Sequence, residues 1–174
     1  MTCDVCGHPA HNLLALDPVP DGYGVTGLPR LEIATCLSCL GWERERLAYA
    51  HDADGCPQGL TTADPRVIPQ FTMAPLLEAW VGLADLGPRW RWQEWGNQEQ
   101  NLHRLGGHPV SVQRGKYIEC ARCGQISIFL LQLESPLVTG DGADYREFLW
   151  GMGGVCYVFW CDDCKISTLF WETT

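Results

Sequence analysis

Ten cysteines punctuate this chain, and eight of them stand in Cys-x-x-Cys pairs: Cys3 with Cys6, Cys36 with Cys39, Cys120 with Cys123, and Cys161 with Cys164. Two intervening residues let a tight turn aim both sulfurs at one ion. Zinc, at about 2.3 Å from sulfur in tetrahedral geometry, needs four such donors. The four pairs therefore supply two complete sites. Order along the chain groups Cys3, Cys6, Cys36 and Cys39 in one, and Cys120, Cys123, Cys161 and Cys164 in the other. A four-sulfur site has no open position for water or substrate, so both are expected to be structural zinc sites.

Competing uses of these residues are weaker. Iron accepts the same four thiolates. A thioredoxin-type redox centre needs a single pair in a β-α-β setting. His8 and His11 follow the first pair, but two full pairs leave them no ligand role and they read as surface histidines. Cys56 and Cys156 remain over, and Cys156 sits in an apolar run as a small buried hydrophobe.

No constellation assigns a catalytic residue. His51, His103 and His108 lack the spacing of a catalytic zinc site, and there is no His-Glu-x-x-His, no phosphate-binding glycine loop and no nucleophile elbow. Asp141, Asp144 and Glu147 read as a solvated loop, and Asp162 and Asp163 as polarity at an exposed turn.

Charge narrows the partners. The formal net charge is −9, with only 12 Lys and Arg scattered along the chain. Four thiolates around one dication leave −2, so two such sites bring the total to about −13. Phosphate backbones repel such a chain, which argues against a nucleic-acid-binding zinc ribbon. A basic protein partner is expected instead, steered by opposite charge. Trp90, Trp92 and Trp95 in "PRWRWQEW" are candidate anchors for it, or else part of a turn packed on the sheet. The opening "MTCDVCGHPAHNLL" has no basic start and no apolar core, and no twenty-residue apolar stretch follows. A cytoplasmic location without membrane contact is the expectation, and it suits cysteines kept as metal ligands.

The elements that must position these cysteines are mostly strands. Hydrophobic residues make up 46% of the chain and charged residues 19%, enough for a real core. Leu31 to Ala34 leads into the second pair. Ile126 to Leu133, Val155 to Trp160 and Ile166 to Trp171 have the apolar, β-branched and aromatic character of buried strands. Helices are expected over "GWERERLAYAH" (41–51), from Ala74 to Leu86 with Thr72 as cap and Pro75 in the first turn, and briefly around Tyr145 to Phe148. The expected fold is α+β and mainly β: twisted antiparallel sheet with two zinc-ribbon-like four-cysteine knuckle pairs and a few helices. Residues 1–50 form a zinc-ribbon-like segment, 51–100 a loop and helical insert, and 101–174 a β segment with the second site, together one compact unit. Both halves run knuckle, long insert, knuckle, but residue-level similarity does not establish a duplication.

Three motifs in order carry a resemblance: "HRLGGHPVSVQ" (103–113), "FLLQLESP" (129–136) and "FLWGMGGVCYVFWC" (148–161). Gly106, Gly107, Pro109 and Gln113, then Leu131, Gln132 and Leu133, then Trp150, Gly151, Gly153, Gly154, Tyr157 and Phe159 together resemble the YwqG-like family of bacterial proteins of unknown function, in a zinc-knuckle-bearing form. The first two motifs are also similar to the programmed cell death protein 2 group, cytosolic chaperones of a ribosomal protein. The resemblance covers about the last seventy residues and implies a mainly β fold. Met152 stands where the family commonly has Asp. Read physically, the glycine pair permits positive φ, and Gln113 and Gln132 are placed to tie loop backbone to sheet. Together these readings point to a zinc-stabilised protein-binding module: an adaptor, an immunity protein against a toxin, or a dedicated chaperone. An enzyme of unrecognised type is the alternative.

Overall fold

The computed structural model describes residues 1–60, 66–67, 75–84, 103–113, 117–139 and 146–173. The strands are β1 (His11–Leu16), β2 (Leu31–Thr35), β3 (Leu47–His51), β4 (Pro57–Gly59), β5 (Arg104–Leu105), β6 (Ile128–Glu134), β7 (Leu137–Thr139), β8 (Arg146–Phe148), β9 (Val155–Cys161) and β10 (Ile166–Glu172). A six-stranded sheet has the order β4-β3-β10-β9-β6-β5, and β1-β2 and β7-β8 form two further ladders. Every strand pairing is antiparallel.

β9 shows why its run of apolar residues is unbroken. Every one of its residues is buried, because both faces of the sheet are covered. Cys156, Val158 and Trp160 join Leu31, Ile33, Leu47, Tyr49 and Leu130 in the main core. Val155, Tyr157 and Phe159 point the other way, to Val110, Ile118 and Phe170. The period of two divides one strand between two cores.

Three expected helices are corrected. Leu47, Tyr49 and His51 are buried in alternation, and the segment is β3, paired with β10 from Leu169↔Leu47 to Ile166↔Ala50. Ladder hydrogen bonds and burial along β10 outweigh a modest helical preference. Residues 41–46 form turns in which the carbonyl of Cys39 accepts from the N–H groups of Trp42, Glu43 and Arg44. Residues 75–84 contain no helix: Leu76 makes one bridge and packs against the core, while Leu77, Trp80, Val81 and Leu83 face solvent. A short helix needs a packed face to offset its nucleation cost, and the contact of Leu76 alone does not make one. The remainder of the expected helix, with its cap Thr72, lies outside the described residues. Arg146–Phe148 is strand β8, laid against β7, and Tyr145 lies outside the described residues. Among the described residues there is no helix, and none is long and apolar enough to cross a membrane.

The fold repeats one unit. In the first copy His11↔Thr35, Asn12↔Ala34, Leu14↔Ile33, Ala15↔Glu32 and Leu16↔Leu31 are partners, with a bulge at Leu13. In the second, Ile128↔Trp160, Phe129↔Phe159, Leu131↔Val158, Gln132↔Tyr157 and Leu133↔Cys156 are partners, with a bulge at Leu130. Residues 3–16 thus map onto 120–133, and 31–39 onto 156–164, bulge on bulge and cysteine on cysteine. The mapped stretches "CDVCGHPAHNLLAL" and "CARCGQISIFLLQL" share both cysteines, the following glycine and the Leu-Leu-x-Leu. Each copy is a knuckle, a strand, an excursion, the partner strand and a second knuckle.

Candidate metal centres

Each unit brings its two knuckles together at the open end of its ladder. Because Cys36 directly follows β2 and Cys161 ends β9, strand pairing itself carries the second knuckle to the first. Both first knuckles close by the same bonds. The N–H of Cys3 donates to the carbonyl of His8 (2.7 Å) and that of Gly7 to Cys3 (2.9 Å); Cys120 donates to Gln125 (2.8 Å) and Gly124 to Cys120 (3.0 Å). Gly7 and Gly124 turn the chain at φ 74° and 71°, a conformation that favours glycine. Backbone N–H groups also point at the sulfurs: Val5 to Cys3 Sγ (3.3 Å) and Arg122 to Cys120 Sγ (3.4 Å). Such donors stabilise thiolate over thiol.

The sulfurs of Cys3, Cys6, Cys36 and Cys39 all lie within 4.8 Å of one another, and so do those of Cys120, Cys123, Cys161 and Cys164. A tetrahedron with metal–sulfur bonds of about 2.3 Å has sulfur–sulfur edges of about 3.8 Å. Cys6 and Cys36 stand 3.8 Å apart, and Cys123 and Cys161 3.7 Å. The donor sets fit a four-coordinate ion. These two groups could hold metal ions, with zinc the ion that suits four thiolates in a tetrahedron.

Proton affinities express the crowding. The Cys3 thiol is lowered to about 5, first by the hydrogen bond from Cys36, against the opposing effect of burial. Cys36 is pushed up by that same bond and by burial, and Cys39 by burial and then by the charge on Cys3. In the second group burial raises Cys120, yet the N–H groups of Cys123 and Arg122 outweigh it and bring the thiol to about 7. Burial raises Cys161, and the hydrogen bond with Cys123 pushes Cys164 up to about 12. In each group one lowered thiol, Cys3 or Cys120, stands beside raised ones, Cys36 and Cys39 or Cys161 and Cys164. A dication removes that conflict by letting all four ionise together.

The two groups differ in cover. All four cysteines of the first are buried, within the main core beside Leu37, Leu40 and Tyr49. In the second, Cys120 and Cys161 are buried with Ile166, but Cys123 is exposed and Cys164 half-buried.

Asp162, expected to supply only polarity at an exposed turn, is a clasp. Its carboxylate accepts from the Thr26 N–H (2.9 Å), the Trp160 indole N–H (3.0 Å) and Lys165 Nζ (2.8 Å). Lys165 also donates to the Thr26 carbonyl at 2.7 Å. Burial opposes ionisation of Asp162, but Lys165 and Thr26 hold its carboxyl well below the usual range. Thr26 lies 136 residues away, so no local sequence signal announces the contact. In the first unit a different fastening occupies the second knuckle: the Trp171 indole donates to the Leu40 carbonyl at 2.7 Å, and Gly41 (φ 80°) leaves room for that ring.

The remaining candidates fall outside the sulfur groups. His8 Nδ1 lies 3.1 Å from the Cys6 carbonyl, and His11 is buried on β1 instead of exposed. The His103 ring accepts from the Glu134 N–H (3.2 Å), and the carbonyl of His108 accepts from Arg104 (2.7 Å). His51 is buried, with Nδ1 at 3.1 Å from the Gly55 carbonyl and Nε2 at 2.9 Å from Ser167 Oγ. A carbonyl only accepts, so Nδ1 carries the proton and Nε2 receives the Ser167 hydroxyl. That pairing has the form of a nucleophile and its base, but Ser167 is wholly buried. It ties β3 to β10. Cys156 is fully buried and its thiol pushed up by burial, as fits a small hydrophobe, while Cys56 is half-buried. Asp163 and Glu147 are exposed; Asp141, Asp144, Trp90, Trp92 and Trp95 lie outside the described residues.

The resemblance motifs hold the loop over the second core. Gly106 and Gly107 adopt φ 71° and 76°. Buried Gln132 accepts from the Val110 N–H (2.7 Å), Tyr157 donates to the Val110 carbonyl (2.6 Å), and Gln113 donates to the Thr173 carbonyl (3.2 Å). A side chain at Gly154 would collide with the Glu172 carbonyl. Met152 is exposed. No family model matches the chain, and no curated protein or solved structure matches it either.

Proposed function

We propose that this protein is a zinc-stabilised, non-catalytic protein-binding module for a basic partner, acting in the cytoplasm as an adaptor, a toxin-immunity protein or a dedicated chaperone. The observation that carries the metal half is the spacing of the sulfurs: two groups of four thiols within 4.8 Å of one another, in which Cys6–Cys36 at 3.8 Å and Cys123–Cys161 at 3.7 Å match the edge of a zinc tetrathiolate. The residues that hold the ions are Cys3, Cys6, Cys36 and Cys39, and Cys120, Cys123, Cys161 and Cys164. Bound zinc supplies folding free energy by joining strand ends, and both sites are closed to substrate.

The binding half rests on charge. A net charge of −9, lowered further by each tetrathiolate, favours a basic protein and disfavours DNA and RNA. The resemblance to YwqG-like proteins and to the programmed cell death protein 2 chaperones supports the same reading. Elemental analysis of protein purified without added metal should give two zinc equivalents, and iron in their place would correct the metal. A tagged copy expressed in its own host should hold a basic protein at near-equal stoichiometry, with association slowing as salt rises. Turnover of a small molecule with no partner recovered would give the case to an enzyme, and micromolar nucleic-acid binding at about 50 mM salt to a zinc ribbon of the other kind.

A further inference from the structure

We infer that the second four-cysteine group is a peroxide-reactive modification site, with Cys123 as the attacking thiolate and Cys161 as the sulfur that resolves it. The inference rests on the zinc reading above. Its physical basis is the contrast within one chain. The sulfurs of both groups converge to the same spacing, but only the second presents one of them to solvent. Residues 121–126 of its hairpin are all exposed, so an oxidant reaches Cys123 without any opening of the fold. In the first group Cys3, Cys6, Cys36 and Cys39 are each 7% exposed or less.

Reactivity toward a peroxide requires a thiolate and access. Zinc ligation supplies the thiolate at any pH at which the ion stays bound. Exposure supplies the access, and in the first group burial withholds it.

The chemistry closes on atoms already in place. The Cys123 thiolate attacks one oxygen of hydrogen peroxide, the O–O bond breaks to give the sulfenic acid, and the hydroxide that leaves takes a proton from the buffer to become water. The Cys161 thiolate, 3.7 Å from Cys123, then attacks that sulfur and expels the second oxygen as water. Two thiolates, one peroxide and two protons give one disulfide and two waters. The sulfurs must approach to about 2.05 Å, a movement the exposed hairpin can make. The ion loses two of its four donors and leaves, and the Cys123–Cys161 disulfide takes over as the join between the 118–127 hairpin and the end of β9. The first group keeps its metal and serves as an internal control.

The test uses the zinc-loaded full chain with hydrogen peroxide in modest excess. Released zinc is followed by a chromogenic chelator, and thiols are mapped by mass spectrometry without reduction. One zinc equivalent should leave at least about tenfold faster than the other, in step with a Cys123–Cys161 disulfide, while the first four cysteines remain reduced. Cys123→His keeps a zinc donor and removes the nucleophile, so it should retain two ions and slow the fast release by about tenfold or more. Two ions leaving together, oxidation beginning at Cys3, Cys6, Cys36 or Cys39, or unchanged release from Cys123→His would each overturn the inference while leaving the zinc reading intact. Fewer than two zinc ions in the untreated protein would overturn both.

Discussion

The two four-cysteine groups are built alike and embedded differently. Their first knuckles close with the same backbone bonds, their ladders share register and bulge, and their sulfurs meet at 3.8 and 3.7 Å. Their surroundings diverge at the residues between and beside the thiols. The first group reads Cys3-Asp-Val-Cys6 and Cys36-Leu-Ser-Cys39-Leu, with Val5, Leu37, Ser38 and Leu40 all buried. The second reads Cys120-Ala-Arg-Cys123 and Cys161-Asp-Asp-Cys164-Lys, where Ala121, Arg122 and Asp163 are exposed. Knuckle geometry is therefore local and tolerant, set by the turn and its glycine. Burial is imposed by what the rest of the chain lays over the turn, and the intervening residues adapt to it. One unit, used twice, yields a core staple in one place and an accessible thiol cluster in the other.

Cutting each staple should give the largest and most unequal effects. On the proposed zinc reading, Cys36→Ser empties a site inside the main core, and a structural zinc supplies on the order of 10 kcal/mol of apparent folding free energy, so cooperative unfolding should be lost. Cys123→Ser removes an exposed donor, releases one ion and should leave the main core with a measurable, lowered melting temperature. Zinc content and thermal unfolding by circular dichroism check both. A Cys123→Ser chain as unfolded as Cys36→Ser would erase the distinction, and release of both ions by either change would show the sites to be coupled.

The join between the two units comes next in size. His51→Phe leaves the Ser167 hydroxyl buried without its partner, while the Gly55 carbonyl keeps the Glu32 N–H at 3.0 Å, at a cost of about 1–3 kcal/mol by denaturant unfolding. Burial lowers the His51 pKa from its ordinary 6.5. The unfolded chain then binds the extra proton more readily. This contribution is present above about pH 6.5 and is lost as pH falls below it toward the folded value. Any metal held by the thiols would also be weakened as they are protonated, so the quantity to compare is the difference between wild type and His51→Phe. That difference should shrink on acidification; a constant gap would mean the ring stays neutral in both states.

The clasp of Asp162 should give the smallest effect, and one confined to the second unit. Asp162→Asn weakens bonds to Thr26 and Lys165 that are partly exposed, costing about 1–2 kcal/mol. Zinc should exchange faster from the second group under a chelator, with the first unchanged. Equal acceleration at both would remove Asp162 as a local fastening.

Much of this arrangement was legible in the cysteines. Spacing alone paired the thiols, because a two-residue gap serves one ion. The apolar runs of β9 and β10 also stood out, since strands covered on both faces carry no polar alternation, whereas the run expected to be buried from Ile126 to Leu133 begins as strand only at Ile128 and leaves Ile126 and Ile128 exposed. β3 was missed although Leu47, Tyr49 and His51 alternate, because the charged "WERER" before it suggested a helix and its partner β10 lies more than a hundred residues on. The repeat was missed for a different reason. Its shared residues, Cys-x-x-Cys-Gly followed by Leu-Leu-x-Leu, are few, and the likeness lies in ladder register, which side chains of different size satisfy equally well.

By itself the sequence determined that the protein carries four close pairs of thiols beside core strands, and that the chain is acidic. Those are properties of residue type and short spacing, which no fold can rearrange. Tertiary structure decided which thiols see water, that Asp162 reaches Thr26, and that β3 crosses to the sheet of the second unit. Each of these depends on contacts between residues far apart in the chain. Burial and hydrogen-bond partners are settled only when the whole chain has packed.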